Sequence, residues 1–482
     1  MATTLLFFLL SLLSLPPTFS LQLDTHGSIS VLISEKGLVF VKDLLVQQAL
    51  LSLTPLHVPS IKKSINIPFI GGIEATLSNI TLLEINVSST YIRPGDTGVV
   101  IVASGAMAHI SMDWKYSYSS WLIPVDISDG GGASVQVDGL EVGLTLKIVN
   151  HGGSLNLIIM ECGCSLKDIS ITLDGGASWF YQGIVNAFEE QIISAVETAV
   201  TKKIKQGIRK LDLFLENLPK KIPVDDISTL NVTFVSDPLM GQSSISFEIN
   251  GLFMATDKLA PSNYHFRHSQ NKVSCSSASK MLGISLNEAV FNSASATYFS
   301  AGFMSWIVDK IDQSLLNTAG WRFIIPQLYK KYPNADMNLN ISLSSPPYLS
   351  ITRDGITTTV FADMTIDVLN SNEITPVACI SMVVVSCSGS VEILKNNLTG
   401  QAGYGDFRLQ LKWSKVGNFH MYLIQAAVRV LLADVFVPYV NSRLRNGFPL
   451  PIIHGFTLSN ADIIYADSRV VVCTDVEHTD AF

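Results

Sequence analysis

The chain has 482 residues, a length that predicts two domains of about 200–250 residues rather than one core. Hydrophobic residues make up 48% and charged residues only 15%, the net charge is −8, and the mean hydropathy is +0.35. An acidic chain of low charge density does not attract nucleic acid by its overall field. Its apolar excess requires either a membrane span or apolar faces beyond those of a compact core.

The first predicted element is a signal peptide at residues 1–20. The apolar run from Leu5 to Leu15 has the length of a signal-peptide core and is too short to cross a bilayer. Pro16 and Pro17 end the run, and small residues precede a cleavage site after Ser20. Because the segment before the run has no Lys or Arg, an uncleaved N-terminal anchor is the alternative. Cleavage predicts a secreted protein, extracellular or apoplastic.

The first half then predicts a short helix over about Gly37–Leu53, strands, and a long helix. The strands alternate apolar and polar residues, a pattern typical of antiparallel sheets with one face in water. Their clearest set is Leu140, Val142, Leu144, Leu146 and Ile148. The helix is predicted from apolar residues at every fourth position over 29 residues, about 43 Å of helix. That ladder consists of Phe180, Ile184, Phe188, Ile192, Val196, Val200, Ile204 and Ile208.

The same order of elements repeats in the second half. A second short helix is predicted over about Ala301–Lys331, and a second long helix over Phe419–Leu444. Strand patterns lie between them, at 360–368 and 407–413. Polar residues interrupt the apolar stretch at 419–440, which predicts an amphipathic helix rather than a membrane span. Each long helix is followed by a Pro-rich exit, at 218–223 and 448–451, and the predicted seam is Ser236–Ser244.

Each half therefore predicts a curled antiparallel sheet and a long helix with apolar inner faces, an α+β fold. A wedge between sheet and helix that side chains leave empty is an apolar ligand site. A fully packed core is the alternative. The lipid-pocket candidates on the first long helix are Phe180, Ile184, Phe188, Ile192 and Val196.

Secretion also permits disulfides and glycans. The six cysteines allow fifteen pairings and are Cys162, Cys164, Cys275, Cys379, Cys387 and Cys473. The N-glycosylation motif occurs at five positions, which predict a glycoprotein and are Asn79, Asn86, Asn231, Asn340 and Asn397.

The order and spacing of several short segments carry a family resemblance. These segments are Ser34–Leu38, Lys331–Asn334, Ser345–Pro347, Val440–Asn441 and Gly447–Pro451. With them, the chain from about residue 28 to 476 resembles the family of bactericidal/permeability-increasing protein and lipopolysaccharide-binding protein, and most of all its plant branch.

The resemblance implies a tandem-barrel boomerang whose two barrels are joined by a central sheet near 220–260 and 450–476. The predicted domains are then residues 21–237 and 238–482. The resemblance also implies a phospholipid in each barrel with its acyl chains inward, no catalytic residues, and basic tip loops that bind lipid A in the endotoxin-binding members.

Charge is the first departure from that family pattern. Residues 21–240 carry 15 Lys and Arg against 22 Asp and Glu, a net of −7, whereas residues 241–482 have a net of −1. In the first tip loop, Asn66, Pro68 and Gly72 stand where basic members carry lysines. The remaining candidates for lipopolysaccharide contact at the tip are Lys62, Lys63, Trp114, Lys115, Tyr116, Tyr118 and Trp121. Tyr and Trp side chains suit a membrane interface, but these aromatic residues could instead pack across a hairpin. For the two lysines of the first tip loop, the alternative is an ordinary solvated turn.

Cysteine is the second departure. The family's disulfide joins a strand cysteine, matched here by Cys162 or Cys164, to a cysteine in the long helix. Residues 177–215 contain no cysteine, so that bridge cannot form in the usual way. Metal binding by Cys162 and Cys164 lacks further ligands nearby, which favours other pairings or free thiols.

No nucleophile elbow, zinc-protease motif or P-loop occurs, and the pair His265 and His268 lies in a polar loop. The sequence predicts no enzyme, no cofactor and no metal. The leading hypothesis is a secreted protein that binds lipopolysaccharide, through lipid A, and phospholipids, and contacts membranes or bacterial surfaces in innate immune defence against bacteria. The alternatives are an extracellular phospholipid carrier without a microbial role and a structural β-protein without ligand.

Overall fold

The computed structural model describes residues 27–67, 71–119, 127–174, 188–256, 275, 279–308, 316–370 and 373–479. The predicted signal peptide, Trp121, Phe180, Ile184, His265 and His268 lie outside these ranges.

The first half begins with a strand and a helix, β1 (Ile29–Ile33) and α1 (Glu35–Leu53). An eight-stranded antiparallel sheet follows, here called the N-terminal sheet. Its strands are β2 (Leu56–His57), β3 (Ile61–Ile67), β4 (Gly71–Asn86), β5 (Ser89–Gly95), β6 (Gly98–Ser119), β7 (Ile127–His151), β8 (Ser154–Ser165) and β9 (Asp168–Asp174). The helix α2 (Glu189–Glu216) then packs along β8.

Short strands connect the two halves. They are β10 (Lys221–Pro223), β11 (Ser228–Asn231), β12 (Leu239–Met240), β13 (Ile245–Ile249), β14 (Phe253–Ala255) and β15 (Leu282–Asn287). Strands β10, β11 and β14 form a small sheet of their own.

The second half begins with α3 (Glu288–Ser300), and its eight-stranded sheet is here called the C-terminal sheet. The sheet's first strand is β16 (Ser305–Val308), which is followed by the helix α4 (Pro326–Lys331). The remaining strands are β17 (Asp336–Leu343), β18 (Tyr348–Thr352), β19 (Gly355–Asn370), β20 (Glu373–Leu394), β21 (Asn397–Ala402), β22 (Asp406–Ser414) and β23 (Phe448–Pro449). The helix α5 (Met421–Leu444) lies between β22 and β23.

A six-stranded central sheet joins the halves. It adds β24 (Phe456–Ala466) and β25 (Arg469–His478), and its order is β12-β13-β1-β15-β25-β24. Because β1 pairs with both β13 and β15, the first strand of the chain is inserted between two strands that follow the first barrel. The ion pair between Lys36 and Asp475 (2.8 Å) and a disulfide between Cys275 and Cys473 also tie this joint together.

The three largest buried cores among the described residues follow this division. The first lies between the N-terminal sheet and α2, the second between the C-terminal sheet, α4 and α5, and the third beneath the central sheet. The α+β fold with two curled antiparallel sheets is therefore as the sequence predicted. The boundary at residues 237/238 remains a prediction.

The predicted short helix at Ala301–Lys331 is wrong. The structure has α3 at Glu288–Ser300 and the six-residue α4, with the strand β16 between them. The missed signal is the N-cap: the side chain of Asn287 accepts a hydrogen bond from the backbone N–H of Ala289 (2.9 Å). The helix itself is rich in Ala and Ser, so it has few of the large apolar residues that give a helix its hydrophobic period.

Both predicted long helices are present. The end of the first differs from its predicted position, and the second contains an irregular turn. Helix α2 continues to Glu216, eight residues beyond the predicted end. Helix α5 contains one π-helical turn, Leu432–Phe436, which ends two residues before Pro438. Because proline has no N–H to donate to the carbonyl four residues earlier and its ring crowds that carbonyl, the helix widens there.

Candidate lipid-binding site

Helix α1 is apolar on nearly every side and yet only partly covered. Eleven of its nineteen residues are apolar, but Leu38 and Leu53 are its only buried apolar side chains. Leu51 is 59% exposed, Val39 and Val41 are also exposed, and the other six are half-buried. A helix that is hydrophobic all round normally lies inside a protein or a membrane. The middle of α1 therefore offers apolar surface that the described protein does not cover.

The two ends of α1 hold it in this position. At its start, the Ser34 side chain caps the helix by accepting from the Gly37 N–H (3.3 Å). Gly37 lets the helix touch the backbone before β15, because a Cβ there would lie 2.4 Å from the carbonyl oxygen of Met281. Farther along, Leu38 packs against Val99 and Ile245 in a small cluster of its own.

One charged residue of α1 is buried. Lys42 is 7% exposed, and its Nζ lies 2.8 Å from a carboxylate oxygen of Asp43 and 3.4 Å from the carbonyl oxygen of Thr90 on β5. The pairing satisfies the ammonium group where α1 crosses the N-terminal sheet. This contact, with the N-cap and Leu53, fixes α1 while leaving its middle turns open.

The predicted pocket residues of α2 lie in the packed core instead. Phe188, Ile192 and Val196 are all at most 1% exposed, in the cluster between α2 and the N-terminal sheet. A role in lipid binding for these three, and for Phe180 and Ile184, stays a prediction. The ladder faces the sheet, and the uncovered apolar surface is on the other helix, α1.

In the second half the long helix has the uncovered face. Helix α5 spans 24 residues and is long and apolar enough to cross a membrane. Only 22% of the residues in its most apolar stretch are buried. One side, with Ile424, Val428 and Leu431, enters the C-terminal core. The opposite side exposes Tyr422 and Val430. The amphipathic helix predicted here is present, but its outer face is itself largely apolar.

The predicted tip residues lie on β3 and β6 of the N-terminal sheet. Lys62 pairs with Thr76 and Thr76 with Lys115, so the two lysines stand in one row, exposed on the same face. Lys63 points to the other face, with its Nζ 5.7 Å from the ring centre of Phe188.

The tip aromatics face inward. Trp114 is 4% exposed within the N-terminal core, and Tyr116 packs against the same core. Gly131 lies opposite Trp114, and a Cβ there would be 3.1 Å from the indole Nε1 and 2.2 Å from a carbonyl oxygen. Trp114 and Tyr116 therefore pack across the strands, the alternative that the sequence left open. Tyr118 is half-buried two residues farther along.

Acidic residues outnumber the lysines at this tip. Around Lys62, Lys63 and Lys115, the described strand ends and the start of α2 carry Glu74, Asp113, Asp129, Asp174, Glu189 and Glu190. Except for the half-buried Asp129, these carboxylates are exposed. The field at the N-terminal tip is thus negative, as the net charge of this half predicted.

The two cysteines of β8 are packing residues. Cys162 and Cys164 are half-buried free thiols on the face of β8 that packs on α2. Burial raises the pKa of both, and for Cys164, where the Glu197 carboxylate and Cys162 add to the effect, to about 12. Such thiols stay protonated, and in the described part of the chain no group of three His, Cys, Asp or Glu side chains could hold a metal ion.

The glycosylation motifs differ in accessibility. Asn79 and Asn86 are exposed on β4, where their side-chain amides donate to Asp113 (2.6 Å) and Glu84 (3.0 Å). The other three are half-buried and are Asn231, Asn340 and Asn397.

Family models match both halves of the chain. The N-terminal domain model of the LBP / BPI / CETP family matches residues 37–218, and the C-terminal domain model of the same family matches residues 223–478.

Individual relatives match nearly end to end. A BPI/LBP family protein of Arabidopsis thaliana is 54% identical over 473 residues, 97% of each chain. Bactericidal permeability-increasing protein of Sebastes schlegelii is 25% identical over 97% of this chain and 98% of its own. A crystal structure of lipopolysaccharide binding protein superposes with a TM-score of 0.65 at 18% identity, covering 95% of this chain and 100% of that one. This last likeness shows the fold.

Proposed function

Because the chain belongs to the LBP / BPI / CETP family of lipid-binding proteins, we propose that it holds the acyl chains of phospholipid or lipopolysaccharide against helix α1. The observation that carries this proposal is the apolar surface of α1 between Lys42 and Leu53, where Leu51 is exposed and the other apolar side chains are only half-buried.

Energetics favour an acyl ligand over water at this surface. Transfer of each methylene from water is worth roughly 0.8 kcal/mol, so a long acyl chain offers on the order of 10 kcal/mol relative to water. The gain relative to a membrane is much smaller, because the chain is already sheltered there. Occupancy therefore depends on apolar contact and not on charge at the tip.

The proposed role is microbial sensing, with lipid A of lipopolysaccharide as the bacterial ligand. Two kinds of relative support it by name, bactericidal permeability-increasing protein and lipopolysaccharide-binding protein. In this chain the acyl chains of lipid A would supply the affinity, because the N-terminal tip has more carboxylates than lysines.

A second candidate is an extracellular phospholipid carrier without a microbial role. The same acidic tip favours it, because repulsion of a phosphorylated headgroup weakens lipid A binding more than binding of a zwitterionic phospholipid.

Secretion is part of the proposal. The disulfide between Cys275 and Cys473 supports it, since disulfides persist in oxidising compartments. The apolar run at residues 5–15 is the proposed export signal.

Mass spectrometry of an organic extract from the native protein tests the acyl site. We expect stoichiometric lipid in the native protein and much less in a variant with Leu44→Lys and Leu45→Lys in the middle of α1. Ile158→Lys on β8 is the control, because it adds a charge at an apolar residue that is exposed (46%) and lies away from α1, and it should keep its lipid. A native protein without lipid, which also fails to take up added phospholipid, would contradict the proposal.

Endotoxin-coated beads separate the two candidates. Saturable capture at physiological salt that free lipid A displaces supports microbial sensing. Bound host phospholipid that endotoxin neither displaces nor dilutes supports the carrier.

A further inference from the structure

The far end of the C-terminal sheet is closed by residues 316–335, here called the C-terminal cap. Trp321, Ile325 and Leu328 enter the C-terminal core and anchor the cap. The Thr318 hydroxyl donates to the carbonyl oxygen of Tyr332 (2.7 Å) and accepts from the N–H of Ala335 (3.0 Å), which joins its two ends.

The loop between β22 and α5 lies beside the cap. The ammonium of Lys331 donates to the carbonyl oxygen of Lys415 (3.4 Å), and the N–H of Lys415 donates to the carbonyl oxygen of Val377 near the start of β20. These contacts gather the cap, the β22–α5 loop and the end of the β19–β20 hairpin into one surface, here called the C-terminal tip.

Three cation–aromatic pairs lie on the C-terminal tip. The guanidinium carbon of Arg322 is 4.5 Å from the ring centre of Phe323. The second pair is Lys331 over Tyr332 at 5.4 Å, and the third is Lys415 over Trp413 at 5.8 Å.

Large apolar side chains of the C-terminal tip point into solvent. Phe323 is 73% exposed, Tyr422 at the start of α5 is 70% exposed, and Ile374 at the start of β20 is 62% exposed. Isolated apolar residues on a surface need no explanation, but three together beside cations resemble the belt by which proteins meet a membrane interface.

Charge distinguishes this tip from the N-terminal tip. Among the described residues it carries four cations, Arg322, Lys330, Lys331 and Lys415, against the exposed carboxylates of Asp336 and Glu373. A further carboxylate on β19, Asp367, is only 8% exposed. The chain as a whole has a net charge of −8, and the N-terminal tip is acidic.

We infer that the C-terminal tip is a docking surface for the anionic phospholipid headgroups of a bilayer, with Phe323 and Tyr422 inserted at the interface. Cations attract the negative surface, and the adjacent rings enter the boundary between headgroups and acyl chains. The inference goes beyond the acyl site on α1, since that site does not determine which end of the protein meets a membrane.

Vesicle co-sedimentation of the full chain tests the inference. We expect stronger binding to vesicles of phosphatidylcholine with phosphatidylglycerol than to phosphatidylcholine alone, and weakening by salt. The double variant Lys330→Glu with Lys331→Glu should bind anionic vesicles at least about tenfold more weakly. Phe323→Ser with Tyr422→Ser should weaken binding to both kinds of vesicle. All these residues are exposed, and circular dichroism verifies that each variant folds.

The matched control exchanges the same two charges at the other tip, Lys62→Glu with Lys115→Glu, and should leave vesicle binding unchanged. If the N-terminal control loses binding while the Lys330 and Lys331 variant keeps it, the inference is wrong. Equal binding to neutral and anionic vesicles, or none to either, also overturns it. The lipid content of each variant is measured separately: vesicle binding without bound acyl lipid would remove the proposed function and leave this inference standing.

Discussion

The two halves of the molecule repeat the order short helix, sheet, long helix. They differ in which of the two helices has its apolar side chains buried by the protein. In the first half the short helix α1 leaves nine of its eleven apolar side chains unburied, while the ladder of α2 is buried against its sheet. In the second half the short helix α3 has seven of thirteen residues buried, and the long helix α5 exposes an apolar face. A duplicated architecture thus keeps its cores and distributes its open surfaces differently.

The tips differ in the same way. The N-terminal tip turns Trp114 and Tyr116 into the core and surrounds three lysines with carboxylates. The C-terminal tip turns Phe323 and Tyr422 outward and has more cations than exposed carboxylates. Binding of hydrocarbon and contact with a membrane can therefore reside in different halves of one chain.

The largest expected effect concerns the shared feature, the buried side of each long helix. Ile192→Ala in α2 and Ile424→Ala in α5 each remove a side chain that is 0% exposed. Each should lower the free energy of unfolding by about 2–5 kcal/mol, because the cavity cannot fill. Urea denaturation measures it.

Val430→Ala, on the exposed side of α5, is the control and should cost less than about 0.5 kcal/mol. If Val430→Ala destabilised the protein as much as Ile424→Ala, the outer face of α5 would be covered in solution, and the contrast between the halves would fail.

Opposite changes in the two short helices sharpen the comparison. Ala296 in α3 is 2% exposed, so Ala296→Leu overpacks a filled site and should cost about 1–3 kcal/mol. Leu51 in α1 is 59% exposed, and Leu51→Ala should change stability by less than about 0.5 kcal/mol. Thermal unfolding of lipid-free protein measures both. A larger cost for Leu51→Ala than for Ala296→Leu would contradict the open surface on α1.

Much of the fold was predictable because its strands and long helices have regular spacings of apolar residues. The strands around residues 140–148, 360–368 and 407–413 alternate strictly, and the ladder through Ile192 and Val196 marks a long helix. The helix α3 was missed because small residues such as Ala296 give no hydrophobic period. The insertion of β1 between β13 and β15 has no local signal, because pairing across more than 200 residues depends on tertiary packing.

The candidate site was less predictable than the fold. Periodicity shows that a ladder is apolar but not whether protein or ligand covers it, so the pattern alone does not decide whether the α2 residues line a pocket. The useful signal was in α1, where apolar residues occur on all sides instead of in a stripe. The cationic C-terminal tip combines residues from three distant segments, represented by Arg322, Ile374 and Lys415, which only the fold brings together.

Smaller effects are expected at the two polar contacts that hold the halves together. The first joins the exit from the first half to α3: the Tyr298 hydroxyl donates to a carboxylate oxygen of Asp225 (2.6 Å) and lies 2.8 Å from the Ser228 hydroxyl. Tyr298→Phe should cost about 1–2 kcal/mol at neutral pH, because it removes a hydrogen bond to a charged group.

The pH dependence of this contact follows from the tyrosine. Burial, and then the bond to Asp225, raise the pKa of Tyr298 from 10.0 to about 12. A phenol whose pKa is higher in the folded state binds its proton more tightly there, so this stabilisation is complete below pH 10 and is lost as pH rises from 10 toward 12. Phenolate absorbance should show the same number of tyrosines titrating near pH 10 in the native protein and in Tyr298→Phe, and one additional tyrosine titrating near pH 12 in the native protein. A Tyr298 that titrates normally would contradict the contact.

The smallest expected effect is at the second contact, between Lys36 of α1 and Asp475 of β25 (2.8 Å). The hydrogen bond from Lys36 lowers the pKa of the Asp475 carboxyl below its usual 3.8. Asp475→Asn should therefore cost only about 0.5 kcal/mol at pH 7, because Lys36 is 45% exposed and solvent screens the pair. A carboxyl whose folded pKa is lowered stabilises the protein above its unfolded pKa, so the difference between the two proteins should persist down to about pH 4 and disappear below it. Urea denaturation at pH 7 and pH 3 measures this.

Asp363→Asn, which breaks the corresponding ion pair with Lys412 inside the C-terminal sheet, is the control that leaves the joint intact. If only Asp475→Asn also released lipid from α1, the joint would set the position of that helix, and the open surface of the first half would depend on the second.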